Sequence, residues 1–219
     1  MNIIIALGCL LACQKEPSST KDAMKPIQLL VGEWRVQVTC DDGKDEAWEE
    51  TQAWEYKIEK EEYALQFEIK GGKRFKSGVL SYDLKKKLYR LEAVRSTDKK
   101  AVFEGKLSGK ELALDEIAEG AVDRIVFNLL RDNRILVGVE HKDAGKNNWV
   151  PSISLAATKN GVPFTRGDAP KCVVTGGTPS TTVEFKGVTY SVCCNSCKKE
   201  FLAHPEDTIA RAKKEGFIK

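Results

Sequence analysis

The sequence is poor in histidine, in long apolar runs and in charge of one sign. Only His141 and His204 occur among 219 residues, and no recognisable nucleophile motif accompanies them. Acid–base hydrolysis is hard to assemble from so little, so a binding protein is expected rather than an enzyme. No apolar stretch approaches the ~20 residues of a spanning helix. Lys and Arg number 35 against 32 Asp and Glu, a net charge of +3 with the signs interspersed. Such a balance provides no basic field that asks for nucleic acid. Evenly spread cysteines are lacking too. A disulfide framework distributes them through a small loop-rich domain, yet here the long middle of the chain holds only Cys40. Four crowd near the end as Cys172, Cys193, Cys194 and Cys197, and such clustering reads as a site. The 42% hydrophobic and 31% charged content is otherwise that of a globular protein.

Residues 1–12 carry no charge and are mostly apolar, with a length that suits the h-region of a secretory signal. They run into Leu10-Leu11-Ala12-Cys13, which resembles the lipobox of bacterial lipoproteins. That resemblance implies cleavage before Cys13, a lipid on Cys13, and an extracytoplasmic protein held on the periplasmic face or cell surface. Its contact with the membrane would be through the lipid alone. Ala6-Leu7-Gly8-Cys9 is a second, shorter candidate, and a buried N-terminal strand or helix is the alternative to both. Residues 13–25 are polar and include Pro17-Ser18-Ser19-Thr20, as a flexible tether would be.

Residues 26–166 alternate apolar and polar side chains in short runs: 34–38, 63–69, 79–82, 88–94, 101–107, 125–130, 135–139 and 153–157. A period of two marks half-buried strands. Turn signals separate them, among them Gly71-Gly72, Ser108-Gly109 and Asp132-Asn133. Eight to ten strands in succession predict a mainly β, antiparallel up-and-down sheet, and closing it into a barrel removes its edges. A short helix is expected before it, with Asp22 as cap and Gly32 as its end. Gly32-Glu33-Trp34 resembles the Gly-x-Trp entry of lipocalin and calycin barrels. The resemblance implies that Trp34 plugs the barrel floor under an Arg from near the barrel's end, with Arg166 as the candidate and Arg124 competing. It also implies a small apolar ligand as a candidate occupant. Haem would need an axial ligand, and His141 is read instead as a solvated turn histidine. Trp48, Trp54 and Trp149 are read as packing residues before any ligand stack.

Residues 167–219 form a small α+β unit. Phe185 and Tyr190 flank a Lys186-Gly187 turn, which predicts a hairpin. A helix from about Asn195 must stop before Pro205, and a second follows with Glu206 and Asp207 at its start and Lys213 and Lys214 at its end. Cys172, Cys193 and Cys197 are spaced C-x20-C-x3-C. Four residues separate the last two, close to one helical turn, so both sulfurs can face one point. A helix N-terminus favours thiolate, the form that binds metal, and three thiolates suit zinc or copper(I) rather than Mg or Ca. With Gly187, Tyr190, Phe201 and Pro205 in register, the segment resembles the YHS/TRASH family of treble-clef-like modules tied to heavy-metal sensing, trafficking and resistance. The resemblance covers roughly the last quarter of the chain. A fourth ligand is open between Cys194 and His204, and a donor or acceptor protein could complete the site. Two other readings stand beside metal capture. One is thiol redox chemistry at Cys194-Asn195-Ser196-Cys197; the other is a lipophilic-ligand barrel whose cysteine module is purely structural.

Overall fold

The computed structural model describes residues 16–41, 46–120, 122–131, 133–160 and 170–218. The lipobox with Cys13, the Arg166 candidate and the 166/167 domain boundary lie outside them. Among the described residues, no helix is long and apolar enough to cross a membrane.

Ten antiparallel strands close into a barrel in simple up-and-down order. They are β1 (Gly32–Cys40), β2 (Trp48–Glu59), β3 (Glu62–Lys70), β4 (Phe75–Asp83), β5 (Leu88–Arg95), β6 (Lys100–Ser108), β7 (Glu111–Glu116), β8 (Val122–Arg131), β9 (Arg134–Lys142) and β10 (Val150–Lys159). Closure comes from β1 against β10, in a register running from Trp34↔Lys159 to Cys40↔Ile153. Alternation drives the fold: in β1, Trp34, Val36 and Val38 are buried while the residues between them are exposed.

Two strands have no counterpart among the apolar runs. β2 places Glu50 and Gln52 on its inward face between Trp48 and Trp54, so its polar residues fall on both faces. β7 has only Leu112 and Leu114 to bury. The β2–β3 turn is equally quiet in sequence, because Lys60 and Glu61 take positive φ (47° and 68°) without a glycine.

The chain is ordered earlier than the expected tether ends. Helix α1 (Thr20–Met24) is capped by Ser19, whose Oγ accepts from the Asp22 N–H at 3.1 Å. Asp22 thus sits in the first turn and not at the cap. A 3₁₀ segment (Lys25–Leu30) follows, broken from α1 at Pro26, so the expected single helix is two short pieces. Ala23, Met24, Ile27 and Leu30 are buried against the barrel. The Tyr63 N–H donates to Thr20 Oγ1 (2.9 Å) and the Tyr89 hydroxyl to the Ala23 carbonyl (2.6 Å). These contacts cover one end of the barrel.

Trp34 lies at that end. Its indole Nε1 donates to the Leu30 carbonyl at 2.7 Å, which satisfies the one polar atom of a buried ring. Among the described residues, the cation over it is Lys159, with Nζ 5.2 Å from the ring centroid and 3.2 Å from the Leu29 carbonyl. Arg124 is elsewhere, stacked on Trp149 at 4.1 Å, and so does not compete for Trp34.

β2 overhangs its neighbour. Its pairing with β1 ends at Gly32↔Trp54, whereas its pairing with β3 continues to Glu59↔Glu62. Residues 55–59 would therefore present an edge, and helix α2 (Asn195–Ala203) packs on β2. The C-terminal segment completes its own small layer with hairpin β11 (Thr181–Phe185) and β12 (Val188–Val192), then α3 (Pro205–Lys214). Lys186 and Gly187 both have positive φ (52° and 75°), as a two-residue hairpin turn requires. Cys172, Val173, Val174, Cys197 and Phe201 are continuous with the barrel residues in one hydrophobic core.

Candidate metal centre

Three local structures bring the cysteines together. Cys172 opens a tight loop in which its N–H donates to the Gly177 carbonyl (2.8 Å) and its carbonyl accepts from the Gly176 N–H (2.7 Å). Gly176 has φ +75°, and a Cβ there would lie 2.5 Å from the Phe217 ring, so both backbone and packing require glycine. The Val173 N–H donates to the Ser191 carbonyl (2.8 Å), which fastens this loop to the hairpin. Cys193 follows β12, and Cys197 lies in the first turn of α2.

The sulfurs of Cys172, Cys193 and Cys197 all lie within 4.8 Å of one another. Cys193 Sγ and Cys197 Sγ are 3.5 Å apart. Tetrahedral zinc with Zn–S bonds of ~2.3 Å sets its sulfurs about 3.8 Å apart, so the cluster is close to the size a thiolate-bound ion needs. All three residues are buried, Cys172 and Cys197 completely. Thr175 Oγ1 lies 3.6 Å from Cys193 Sγ, and the Ser180 hydroxyl donates to the Cys193 carbonyl at 2.7 Å. Ser180 lies outside the cysteine pattern and was not visible in the spacing.

The thiols share protons unevenly. Hydrogen bonds from Cys193 and Cys197 hold the Cys172 thiol well below the ordinary range. Cys193 and Cys197 are pushed up, chiefly by that same contact with Cys172. Hydrogen bonds from Cys193 and Cys197 also lower Cys194. Cys193 and Cys197 therefore retain protons that a bound cation would displace. No disulfide joins Cys172, Cys193, Cys194 or Cys197.

Tyr56, on the overhanging part of β2, is the barrel's link to this cluster. Its hydroxyl is raised well above the usual range by burial and then by the charge of the four neighbouring cysteines. Nothing in the cysteine spacing pointed to it. His204 is exposed at the α2–α3 junction. Seven residues of helix put it ~10 Å along the axis from Cys197, and the structure does not bring it to the sulfurs.

The barrel interior is largely filled. A cavity of about 60 Å³ inside it is lined by Trp54, Phe67, Ile125 and Phe127 with Glu50 and Arg74. That is room for a few water molecules and falls well short of the ~300 Å³ at which small-molecule pockets begin. At the barrel end opposite α1, buried Asp123 meets Arg74 (3.2 Å), Arg95 (3.3 Å) and His141 Nδ1 (3.0 Å). His141 thus belongs to the end of β9 and to an ionic network, not to a solvated turn.

Fold and site define a closed ten-stranded antiparallel barrel carrying a buried cysteine cluster against one strand. No protein-family profile matches the chain, and no curated protein does. Among solved structures, the S-type phycobiliprotein lyase CPES from Guillardia theta is similar at 10% identity and a TM-score of 0.42, over 62% of this chain and 91% of that one. Rv2717c from M. tuberculosis is similar at 10% identity and 0.41, over 63% and 97%.

Proposed function

We propose that this protein captures a soft or borderline metal ion, zinc or copper(I), through Cys172, Cys193 and Cys197, and works in metal binding and transfer rather than in catalysis. The convergence of three buried sulfurs within 4.8 Å carries the reading. Two cysteines suffice for a redox couple, whereas a third buried thiol within 4.8 Å of both suits coordination. The YHS/TRASH-like spacing points the same way. The lipobox-like segment supports an extracytoplasmic, lipid-anchored setting with Cys13 as the acylated residue, where a donor or acceptor protein could exchange the ion.

A competition titration tests this. Zn(II) and Cu(I) are titrated against a chromogenic chelator with the wild-type chain and with Cys172→Ser, Cys193→Ser and Cys197→Ser. Each substitution is expected to weaken binding by roughly a hundredfold or more, since losing a ligand should exceed the 10–100-fold loss of a supporting partner. Equal affinity in all four proteins would refute the assignment. Membrane release of a Cys13→Ser variant checks the anchor separately.

The lipophilic-ligand reading is less favoured by the 60 Å³ interior, which would have to open to admit even a small apolar molecule.

A further inference from the structure

The outer wall of a closed barrel is convex, yet a groove of about 1060 Å³ runs along it from β1 to β6. Ser180, Thr181 and Asn195 of the C-terminal layer line its other side. Strand register explains the floor. Glu33, Ala53, Glu68 and Ser77 stand side by side in one row across β1 to β4. Glu55, Gln66, Val79 and Glu92 form the next row, across β2 to β5. Low side chains thus lie between raised carboxylates, with an apolar component from Ala53 and Val79.

Four carboxylates in this groove are set against one ammonium, that of Lys100. Glu92 meets Arg90 at 3.1 Å, and Glu55 accepts from the Gln66 side-chain amide. The carboxylates of Glu33 and Glu68 have neither an ion pair nor a hydrogen bond among the described residues. Neighbouring strands are ~4.8 Å apart, so these two residues, two strands apart, stand about 10 Å from each other, the span of roughly three residues of extended chain. An acidic groove of this kind repels nucleic acid and anionic lipid and attracts a basic protein segment. Of the three clustered sulfurs' residues, Cys193 alone lines the groove, while Cys172 and Cys197 are wholly enclosed.

We propose that the groove docks an extended, positively charged segment of a partner protein, and that metal is exchanged with that partner past Cys193. The exchange rests on the metal reading above; the docking rests on the groove and its charge.

The test of docking uses the full chain under reducing conditions and a fluorescent peptide with lysine at every third position among serine and valine, beside its glutamate counterpart. Anisotropy should show the lysine peptide binding, more weakly as salt rises, and the glutamate peptide free. Glu33→Gln combined with Glu68→Gln should weaken binding roughly tenfold, at a factor of about two to five for each exposed pair. Ala53→Arg, which seats a cation between those two carboxylates, should abolish it. Glu111→Gln, exposed on β7, should leave it unchanged. No binding of the lysine peptide, equal binding of both peptides, or equal affinity in all the variants would overturn the docking. Exchange is read from the removal of Zn(II) by a chromogenic chelator. Saturating lysine peptide should slow that removal severalfold, and an unchanged rate would overturn the route past Cys193. A chain that binds the peptide but takes up no Zn(II) would overturn the metal reading, and the exchange with it, while the docking stands.

Discussion

Lys159 stands over Trp34, its ammonium 5.2 Å from the indole centroid, and these two residues are paired in the register that closes β1 onto β10. The buried cation is tolerated because it also donates to the Leu29 carbonyl. Gly32 leaves room for it: a Cβ there would lie 2.5 Å from Lys159 Cε, and its φ is +128°. Gly32→Ala is expected to destabilise the fold by about 1–3 kcal/mol, read as a lower midpoint in urea with an unchanged slope. An unaltered midpoint would show that Lys159 and the backbone adjust freely.

Alkaline pH should loosen the barrel through two tyrosines. Burial pushes Tyr63 and Tyr89 up to about 12, and the Tyr89 hydroxyl donates to the Ala23 carbonyl. The folded pKa is above the unfolded value near 10, so the protonated form is the stabilising one. Its contribution is complete below pH 10 and is lost as pH rises from 10 toward 12, on the order of 2 kcal/mol for each residue. Urea midpoints across pH 9–12, followed together with tyrosinate absorbance, should fall as these two ionise. Tyr89→Phe should flatten part of that fall.

Asp123 is the hub of an ionic network at the barrel end opposite α1. Replacing it with Ala leaves Arg74, Arg95 and His141 without their shared carboxylate. Arg95 keeps Glu116 at 2.6 Å, so the loss should be moderate, about 2–3 kcal/mol. Thermal unfolding of Asp123→Ala measures it, and metal affinity should not change because the cysteines lie against the overhanging part of β2. A coupled loss of metal would contradict that separation.

Gly176→Ala should act on the cysteine module. The positive φ and the 2.5 Å approach of Phe217 both oppose a methyl group, so the loop that presents Cys172 must shift. A metal affinity lower by roughly tenfold with the far-UV spectrum of the barrel retained is the expected result. Full affinity would mean that Cys172 reaches the site without this loop geometry.

Much of the architecture was legible because burial on one face of a strand writes itself as alternation. Eight runs were visible, and the two strands that were not, β2 and β7, are those whose inward faces are polar or very short. The covered barrel end was less legible: Pro26 and the Ser19 cap split one expected helix into two pieces, and Lys159 over Trp34 left no mark in the pattern, while Arg166 lies outside the described residues. The cysteine cluster was legible from spacing, since C-x20-C-x3-C follows from a loop, a hairpin and one helical turn. Its support was not. Tyr56 and Ser180 reach the site through tertiary packing, and a β2 overhang of five residues leaves no mark in periodicity. The filled interior is a property of how Trp54, Phe67 and Phe127 interlock (ring centroids 4.5 and 6.1 Å apart), which no linear pattern states.

The most direct test of the central claim is elemental analysis of the chain purified under reducing conditions, paired with a count of accessible thiols before and after denaturation. The account predicts about one equivalent of zinc or copper per chain, with the cluster thiols protected until the metal is removed. Protein that holds no metal even after reconstitution, and whose cluster cysteines titrate as disulfides, would contradict it.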